Sequence, residues 1–377
     1  MDIFGVICEF NPFHLGHARL LAQMHRRFPQ AAALCLMSGL YVQRGQPAVY
    51  ARPVRTRAAL AAGADLVLEL PVTVSLRSAE GFAAGAVEIL DGLGAKALCF
   101  GAETGSLPPL MDTARVLLRP ELPQALRPYL DAGLSFPAAR ARAACALGAD
   151  PAVLRRPNDA LAVEYCKAIL TQGSTMTPVV LDRPGDYHAA TPEPDSPSAT
   201  ALRALISAGQ DFSPYVPPES RPAYENAMPH TMAWGERAVL ARLRSLDEAA
   251  FAALPGGTEG LWRKLRRACR QENTLTDILA AAKSKRYPRT RLERMVMCAF
   301  LGLSQETLAQ PAPYVRVLGF TPRGRQALRE LPKEGLSNLG RREKHPWQDL
   351  EDRCLALYGL FARETEAPVQ QERVVLL

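Results

Sequence analysis

The stretch Gly5 to His17, G-V-I-C-E-F-N-P-F-H-L-G-H, constrains the fold more than any other part of the chain. An apolar run over residues 3–8 reads as a first strand, a turn follows at Asn11 and Pro12, and a helix opens at about Gly16. His14 and His17 frame that opening, with Gly16 between them where a side chain would keep a ligand from the backbone. A helix start carries unpaired N–H groups and a partial positive charge, which suits a polyphosphate. Two imidazoles there can donate hydrogen bonds to phosphoryl oxygens as charge builds up at an α-phosphorus, without bonding covalently. The i, i+3 spacing also fits a metal pair or two packed rings. No third ligand is in sight, since Cys8 lies inside the strand and Glu9 at its end. Strand, turn, glycine and histidines taken together favour the phosphate site.

Strands and helices go on alternating beyond this turn. The first helix runs to about Arg27, and residues 31–37 form an apolar run bounded by Pro29 and Ser38-Gly39. A helix over 54–62 leads into a third strand at 65–70, residues 79–93 have helical spacing, and 95–100 reads as a fourth strand. This is an α/β pattern: a parallel sheet with helices on both faces. Ligands of such sheets lie beyond the carboxyl ends of the strands, at the switch point. The ends of the first strand (Cys8, Glu9) and the fourth (Phe100, Gly101) are therefore expected side by side.

Residues 106–150 read as helical, rich in Leu, Ala and Arg, an insertion whose chemistry the sequence does not disclose. Asn158 opens an amphipathic helix carrying Leu161, Tyr165 and Ile169 on one face, and by itself reads as an N-cap. A last strand over 176–181 is followed by Arg183 and a Pro-rich, acidic loop, 184–197. S-A-T-A-L-R, Ser198 to Arg203, then opens another helix. Hydroxyls at a helix start with an arginine one turn on make a second anion cradle, although Ser198 serves equally as a plain N-cap.

At 377 residues the chain is long for one core, and two domains are expected, 1–209 and 210–377. With 48% apolar and 22% charged residues the composition is ordinary for a globular protein. The N-terminus goes straight into a strand and no run of eighteen apolar residues occurs, so a soluble, cytoplasmic protein away from membranes is expected. The eight cysteines are scattered without a C-x-x-C pair and read as reduced buried thiols, with no metal site indicated.

The formal charge of +7 is uneven: residues 1–209 carry 19 basic and 18 acidic side chains, residues 210–377 carry 26 and 20. From about Asp211 the periodicity is helical, with one short strand near 314–318. Between Trp262 and Arg294 lie eleven Lys/Arg against three Asp/Glu. Trp262, Leu265 and Cys269 can face a core while Arg263, Arg266, Arg267 and Arg270 line the other side. K-S-K-R-Y-P-R-T-R, residues 283–291, sets Tyr287 among cations, where an aromatic can stack on an unpaired base. Such a face is either a solvated surface or an RNA-binding one, and charge with an aromatic favours RNA.

F-N-P-F-H-L-G-H resembles the H-x-G-H signature of the nucleotidyltransferase and class I aminoacyl-tRNA synthetase superfamily, and S-A-T-A-L-R resembles its second signature, S-S-T-x-I-R, with Ala199 in place of one serine. More narrowly, E-F-N-P-F-H-L-G-H, M-S-G-L-Y-V-Q-R-G-Q-P-A (37–48), G-A-D-L-V-L-E-L-P (63–71), K-S-K-R-Y-P-R-T-R-L-E-R and Y-V-R-V-L-G-F-T (314–321) resemble the bacterial tRNA(Met) cytidine acetate ligases. The resemblance implies a Rossmann-like nucleotidyltransferase domain followed by a mainly α-helical C-terminal domain. It implies catalytic His14 and His17. It implies an ATP site built from Ile7, Cys8, Glu9, Phe10, Asn11, Pro12, Phe13, His14, Leu15, Gly16, His17, Ala18, Arg19 and Leu20, with Gly101, Asn158, Arg183, Ser198, Thr200 and Arg203. The basic half would hold elongator tRNA(Met) through Arg263, Lys264, Arg267, Lys283, Lys285, Arg286, Arg291 and Arg294. Two departures stand out. Leu40 and Tyr41 replace the family's Asn-Phe, and Arg52 stands where a lysine is usual.

The implied reaction activates acetate with ATP, accompanied by Mg²⁺, as acetyl-adenylate and transfers the acetyl group to the wobble cytidine. The rivals are a small-molecule adenylyltransferase of the pantothenate or phosphopantetheine kind, and a non-catalytic RNA-binding protein that keeps ATP as a ligand. The oligomeric state is not legible.

Overall fold

A computed structural model describes residues 1–182, 197–338, 341–365 and 373–377. The first half alternates β1 (Ile3–Cys8), α1 (Leu15–Arg27), β2 (Ala32–Ser38), α2 (Arg52–Ala61), β3 (Leu66–Leu70), α3 (Ala79–Gly92), β4 (Ala97–Ala102), α4 (Pro157–Gln172) and β5 (Thr177–Asp182). All five strands are parallel, in the spatial order β3-β2-β1-β4-β5. The chain thus winds one way from β1 and then the other, and the reversal falls between β1 and β4.

Strand alternation explains the burial of both faces. In β2, Leu34 and Leu36 point into a core shared with Phe82 and Leu90 of α3 and Tyr165 of α4. Ala33, Cys35 and Met37 point the other way, against Leu21 and Met24 of α1 and Ala58 and Leu60 of α2. A strand covered on both sides must be largely apolar, which is why all seven residues of β2 are buried and the six before Ser38 are apolar without a break.

After α5 (Ala199–Ser207) the chain is mainly helical, including α6 (Leu261–Gln271) and α7 (Arg289–Leu301). Their core, with Leu265, Ile278, Met297 and Phe300, also takes in Leu40, Tyr41 and Leu76 from the first half. Tyr41 donates its hydroxyl hydrogen to the Cys354 carbonyl at 2.9 Å. The family-variant positions Leu40 and Tyr41 are thus packing residues, each 5% exposed or less. Gly45, at φ +74°, brings its loop onto α7 so closely that a Cβ would stand 2.5 Å from the Arg294 nitrogen. The strand expected near 314–318 forms at β6 (Val315–Phe320) and lies antiparallel to β3, extending the sheet of the first half. The short strands β7 (Leu336–Asn338) and β8 (Val375–Leu376) pair with β6.

Candidate active site

The β1–α1 turn is fixed from several directions. Phe10 takes φ +45° at the end of the strand, and the Asn11–Pro12 peptide is cis. The Asn11 Oδ1 accepts from Val49 N at 2.6 Å. Arg55, fully buried, donates to the carbonyls of Glu9 and Ser38 at 2.8 Å each, to Tyr50 at 2.8 Å and to Gly39, tying the ends of β1 and β2 together. From the second half, the Tyr224 hydroxyl bridges both backbone groups of Phe13.

His14 is the N-cap of α1. Its Nδ1 accepts from Gly16 N at 3.1 Å, while the His17 Nδ1 accepts from His14 N at 3.3 Å. This is a capping box with imidazoles in place of the usual hydroxyl and carboxylate. Because both Nδ1 atoms accept, the neutral rings carry their protons on Nε2. The rings lie 3.8 Å apart, tilted by 31°, against Phe10 and Phe13. Gly16 has a local reason: a Cβ there would meet the His14 ring at 3.0–3.1 Å, so glycine makes room for the capping imidazole.

A crevice of about 350 Å³ opens at the switch point. Its walls bring together Ile7, Cys8, Glu9, Phe10, Asn11, His14, His17 and Leu20 with Gly101, Asn158 and Arg203. The adjacency expected for the ends of the first and fourth strands is therefore realised. Pro12, Leu15, Gly16, Ala18 and Arg19 belong to the turn and first helix without lining the crevice, and Phe13 is wholly buried. Arg183 lies outside the described residues.

Asn158 is not the cap that the sequence suggests. The cap of α4 is Arg156, and the helix start is served by the Glu103 carboxylate at the end of β4, which accepts from Asp159 N at 2.8 Å and Asn158 N at 3.2 Å. Asn158 instead donates its own Nδ2 to Glu103 at 2.6 Å and faces the crevice. Nearby, burial pushes the Asp159 carboxyl above its usual range. Ser198 does cap α5, accepting from Ala201 N at 3.0 Å. Arg203, one turn on, reaches Thr200 Oγ1 at 3.1 Å and the Asn11 carbonyl at 2.9 Å, so the two signature segments touch.

Several wall residues are not marked as site residues by the sequence, among them two on one loop and an ion pair. Gln43 and Arg44 sit on the loop of the M-S-G-L-Y-V-Q-R-G segment, where the motif itself was the available signal. Arg140, from the helical insertion, and Glu164, from α4, pair at 2.5 Å across the crevice wall, and nothing local in the sequence marks them. Burial of the Cys8 thiol raises its pKa well above the ordinary value, which keeps it a neutral wall atom. Arg52 forms a buried pair with Glu69 at 2.8 Å, a structural arrangement in this fold.

In the second half, Leu261, Leu265, Ala268 and Cys269 of α6 are buried, whereas Arg263, Lys264 and Arg267 are exposed, as are Lys283, Lys285 and Arg286. Arg291 donates to the Gly256 carbonyl at 2.8 Å and to Thr258 Oγ1 at 2.9 Å. Tyr287 departs from expectation. It is 6% exposed, its ring lies under Arg291, and its hydroxyl binds Glu259 at 2.6 Å, so its faces are not open to a base.

A doubly wound sheet with two imidazoles at its first helix start and an arginine-bearing second helix start defines a nucleotidyltransferase, and the family model of the HIGH Nucleotidyl Transferase matches residues 1–370. The chain is 32% identical to the tRNA(Met) cytidine acetate ligase of Anoxybacillus flavithermus, over 98% of this chain and 94% of that one. It is 35% identical to the ligase of Kosmotoga olearia, over 89% and 84%. Among solved structures, Thermotoga maritima TmcAL in its apo form superposes with a TM-score of 0.89 at 28% identity, covering all of both chains. The same protein bound with alpha-thio ATP gives 0.87 at 27% identity. The chain belongs to the tRNA(Met) cytidine acetate ligase family of HIGH nucleotidyltransferases. Among the described residues no helix is long and apolar enough to cross a membrane.

Proposed function

We propose that the crevice binds ATP and that the enzyme works in two half-reactions. A carboxylate oxygen of acetate attacks the α-phosphorus, the bond to the β-phosphate breaks, and pyrophosphate leaves, giving acetyl-adenylate. The 4-amino nitrogen of the wobble cytidine of elongator tRNA(Met) then attacks the acetyl carbon. The bond to AMP breaks, AMP departs, and the amine loses a proton, leaving N(4)-acetylcytidine. His14 and His17 donate from Nε2 to the phosphoryl oxygens as negative charge grows, helped by the N-terminus of α1, while Arg203 and the start of α5 hold the β- and γ-phosphates and Arg183 contributes to nucleotide binding. No covalent nucleophile is required, since the adenylate is already activated and positioning contributes much of the remaining rate. Residues 1–209 carry this chemistry, and residues 210–377 hold the tRNA through the cations of α6 and of 283–294. Among the described residues no three His, Cys, Asp or Glu side chains cluster together. A Mg²⁺ ion accompanying ATP would depend on phosphate oxygens for its hold.

The observation that carries this reading is the reciprocal capping of His14 and His17, which leaves both rings with Nε2 as the protonated nitrogen beside a helix start at the switch point. The test is to incubate the protein with ATP, labelled acetate and tRNA, omitting each in turn. Label entering RNA only when all are present is expected. Pyrophosphate exchange that requires some other small acid would favour the small-molecule adenylyltransferase, and tRNA binding without AMP release a non-catalytic protein.

A further inference from the structure

Beside the crevice lies a larger cavity of about 740 Å³, and the two share a wall containing Gln43, Arg140 and Glu164, so they meet at a common threshold. The larger cavity is walled by parts far apart in sequence: Arg77 ahead of α3, Phe136 and Arg140 from the helical insertion, and Arg291 and Arg294 from α7. Its two carboxylates are already matched. Lys167 reaches Glu80 at 2.6 Å and Glu164 at 3.0 Å, and Arg140 holds Glu164 at 2.5 Å. Among the described residues neither Arg77 nor Arg294 has a carboxylate within ion-pair distance, and Arg77 has only the Thr73 carbonyl at 2.9 Å for its Nε. Burial pulls both guanidinium pKa values down. A cation held against that desolvation gains most from an anion brought to it. Phe136, meanwhile, is 50% exposed, an aromatic face left open where Tyr287 is closed.

We propose that this cavity receives the unpaired nucleotides of the RNA substrate: strand phosphates on Arg77 and Arg294, a base against Phe136, and the target base crossing the Arg140–Glu164 threshold toward the ATP crevice. A recess between protein walls excludes a duplex and admits single strands, whose splayed bases are what proteins read in RNA and stack on aromatic rings. The insertion that is mute in the sequence thereby becomes part of the RNA site. The identity of the delivered base rests on the ligase reading, whereas the occupancy of the cavity by RNA does not.

The test is equilibrium binding, without ATP, of a short RNA hairpin whose loop carries the target cytidine, read by fluorescence anisotropy across a salt series. Phe136→Ala should weaken binding about tenfold, as for loss of one stacked base, and Phe136→Trp should retain it. Arg77→Gln and Arg294→Gln should each weaken binding and lower the slope of log affinity against log salt by about 0.7 to 1. Unchanged affinity and slope in all three would overturn the proposal, as would losses confined to variants of Arg263 and Lys264 on α6, or equal losses with a loop-free duplex. Phe136 is exposed, so its variants remain informative if an arginine variant misfolds. Failure of the wild-type protein to transfer labelled acetate would sink the ligase reading while leaving these affinities interpretable.

Discussion

Replacing His14 by asparagine separates two tasks that one ring performs. The Nδ1 atom caps α1 by accepting from Gly16 N at 3.1 Å, and the Nε2 atom is the donor assigned to the phosphoryl oxygens. Asparagine places its Oδ1 about where Nδ1 lies and is among the best N-cap residues, so the cap survives, but it has no atom at the Nε2 position. Alanine removes both. Loss of a cap costs about 0.5–2 kcal/mol, whereas loss of one donor aimed at transition-state charge costs about 100- to 1,000-fold in rate, or ~2.7–4 kcal/mol of barrier. His14→Asn should therefore keep its urea midpoint close to wild type and lose at least about 100-fold in kcat for ATP-dependent transfer of labelled acetate to tRNA. His14→Ala should show the same rate loss and a lower midpoint as well. Transfer by His14→Asn within about threefold of wild type would refute a donor role for Nε2 and reduce the histidine to its capping function.

Three further outcomes are expected. Gly45→Ala combines an unfavourable φ of +74° with a Cβ 2.5 Å from the α7 backbone, so its loop must lift; the result should be a loss of about 2 kcal/mol or more in urea unfolding and weaker binding of an ATP analogue, and a wild-type midpoint would contradict this. Arg55→Met strips the donor from the carbonyls of Glu9, Ser38, Gly39 and Tyr50 and should cost about 3–5 kcal/mol, whereas a loss under about 1 kcal/mol would mean that water replaces the guanidinium. Burial pushes the thiols of Cys99, Cys166, Cys298 and Cys354 up to about 12 and that of Cys269 to about 11, from an ordinary 9.0. Unfolded thiols ionise first, so their contribution is intact below pH 9 and each thiol removes about 1.4 kcal/mol per pH unit as pH rises from there toward its folded value. Melting temperatures should fall steeply above pH 9, and a flat profile to pH 10.5 would argue that these groups titrate normally.

Local rules made much of the first half legible. The strands expected at 31–37, 65–70, 95–100 and 176–181 form within two residues of those limits, because a strand buried on both faces must be a short unbroken apolar run and β1 was bounded by its own turn. The same rules placed the ends of β1 and β4 together, since an alternating parallel sheet has its switch point beside the first strand. They also offer Ser198 as a cap beside its reading as part of an anion cradle, and the cap depends only on the backbone three residues on. The cap reading of Asn158 fails because a cap is a competition, and Glu103, just beyond β4, wins it, while Asn158 faces the crevice. Tyr287 was misjudged because exposure is set by what packs over a residue, here Arg291 and Glu259.

By itself, then, the sequence determined the helix start framed by two histidines, the parallel alternation and the surplus of cations in the second half, all properties of neighbours along the chain. Only the tertiary structure decided that β6 would lie antiparallel on β3, that Tyr224 would clamp Phe13, and that Arg140 of the insertion would meet Glu164 at the crevice wall. Those contacts join residues far apart in the chain. Which of many compatible partners a side chain finds is settled when the whole core closes around it, so no window of sequence contains the answer.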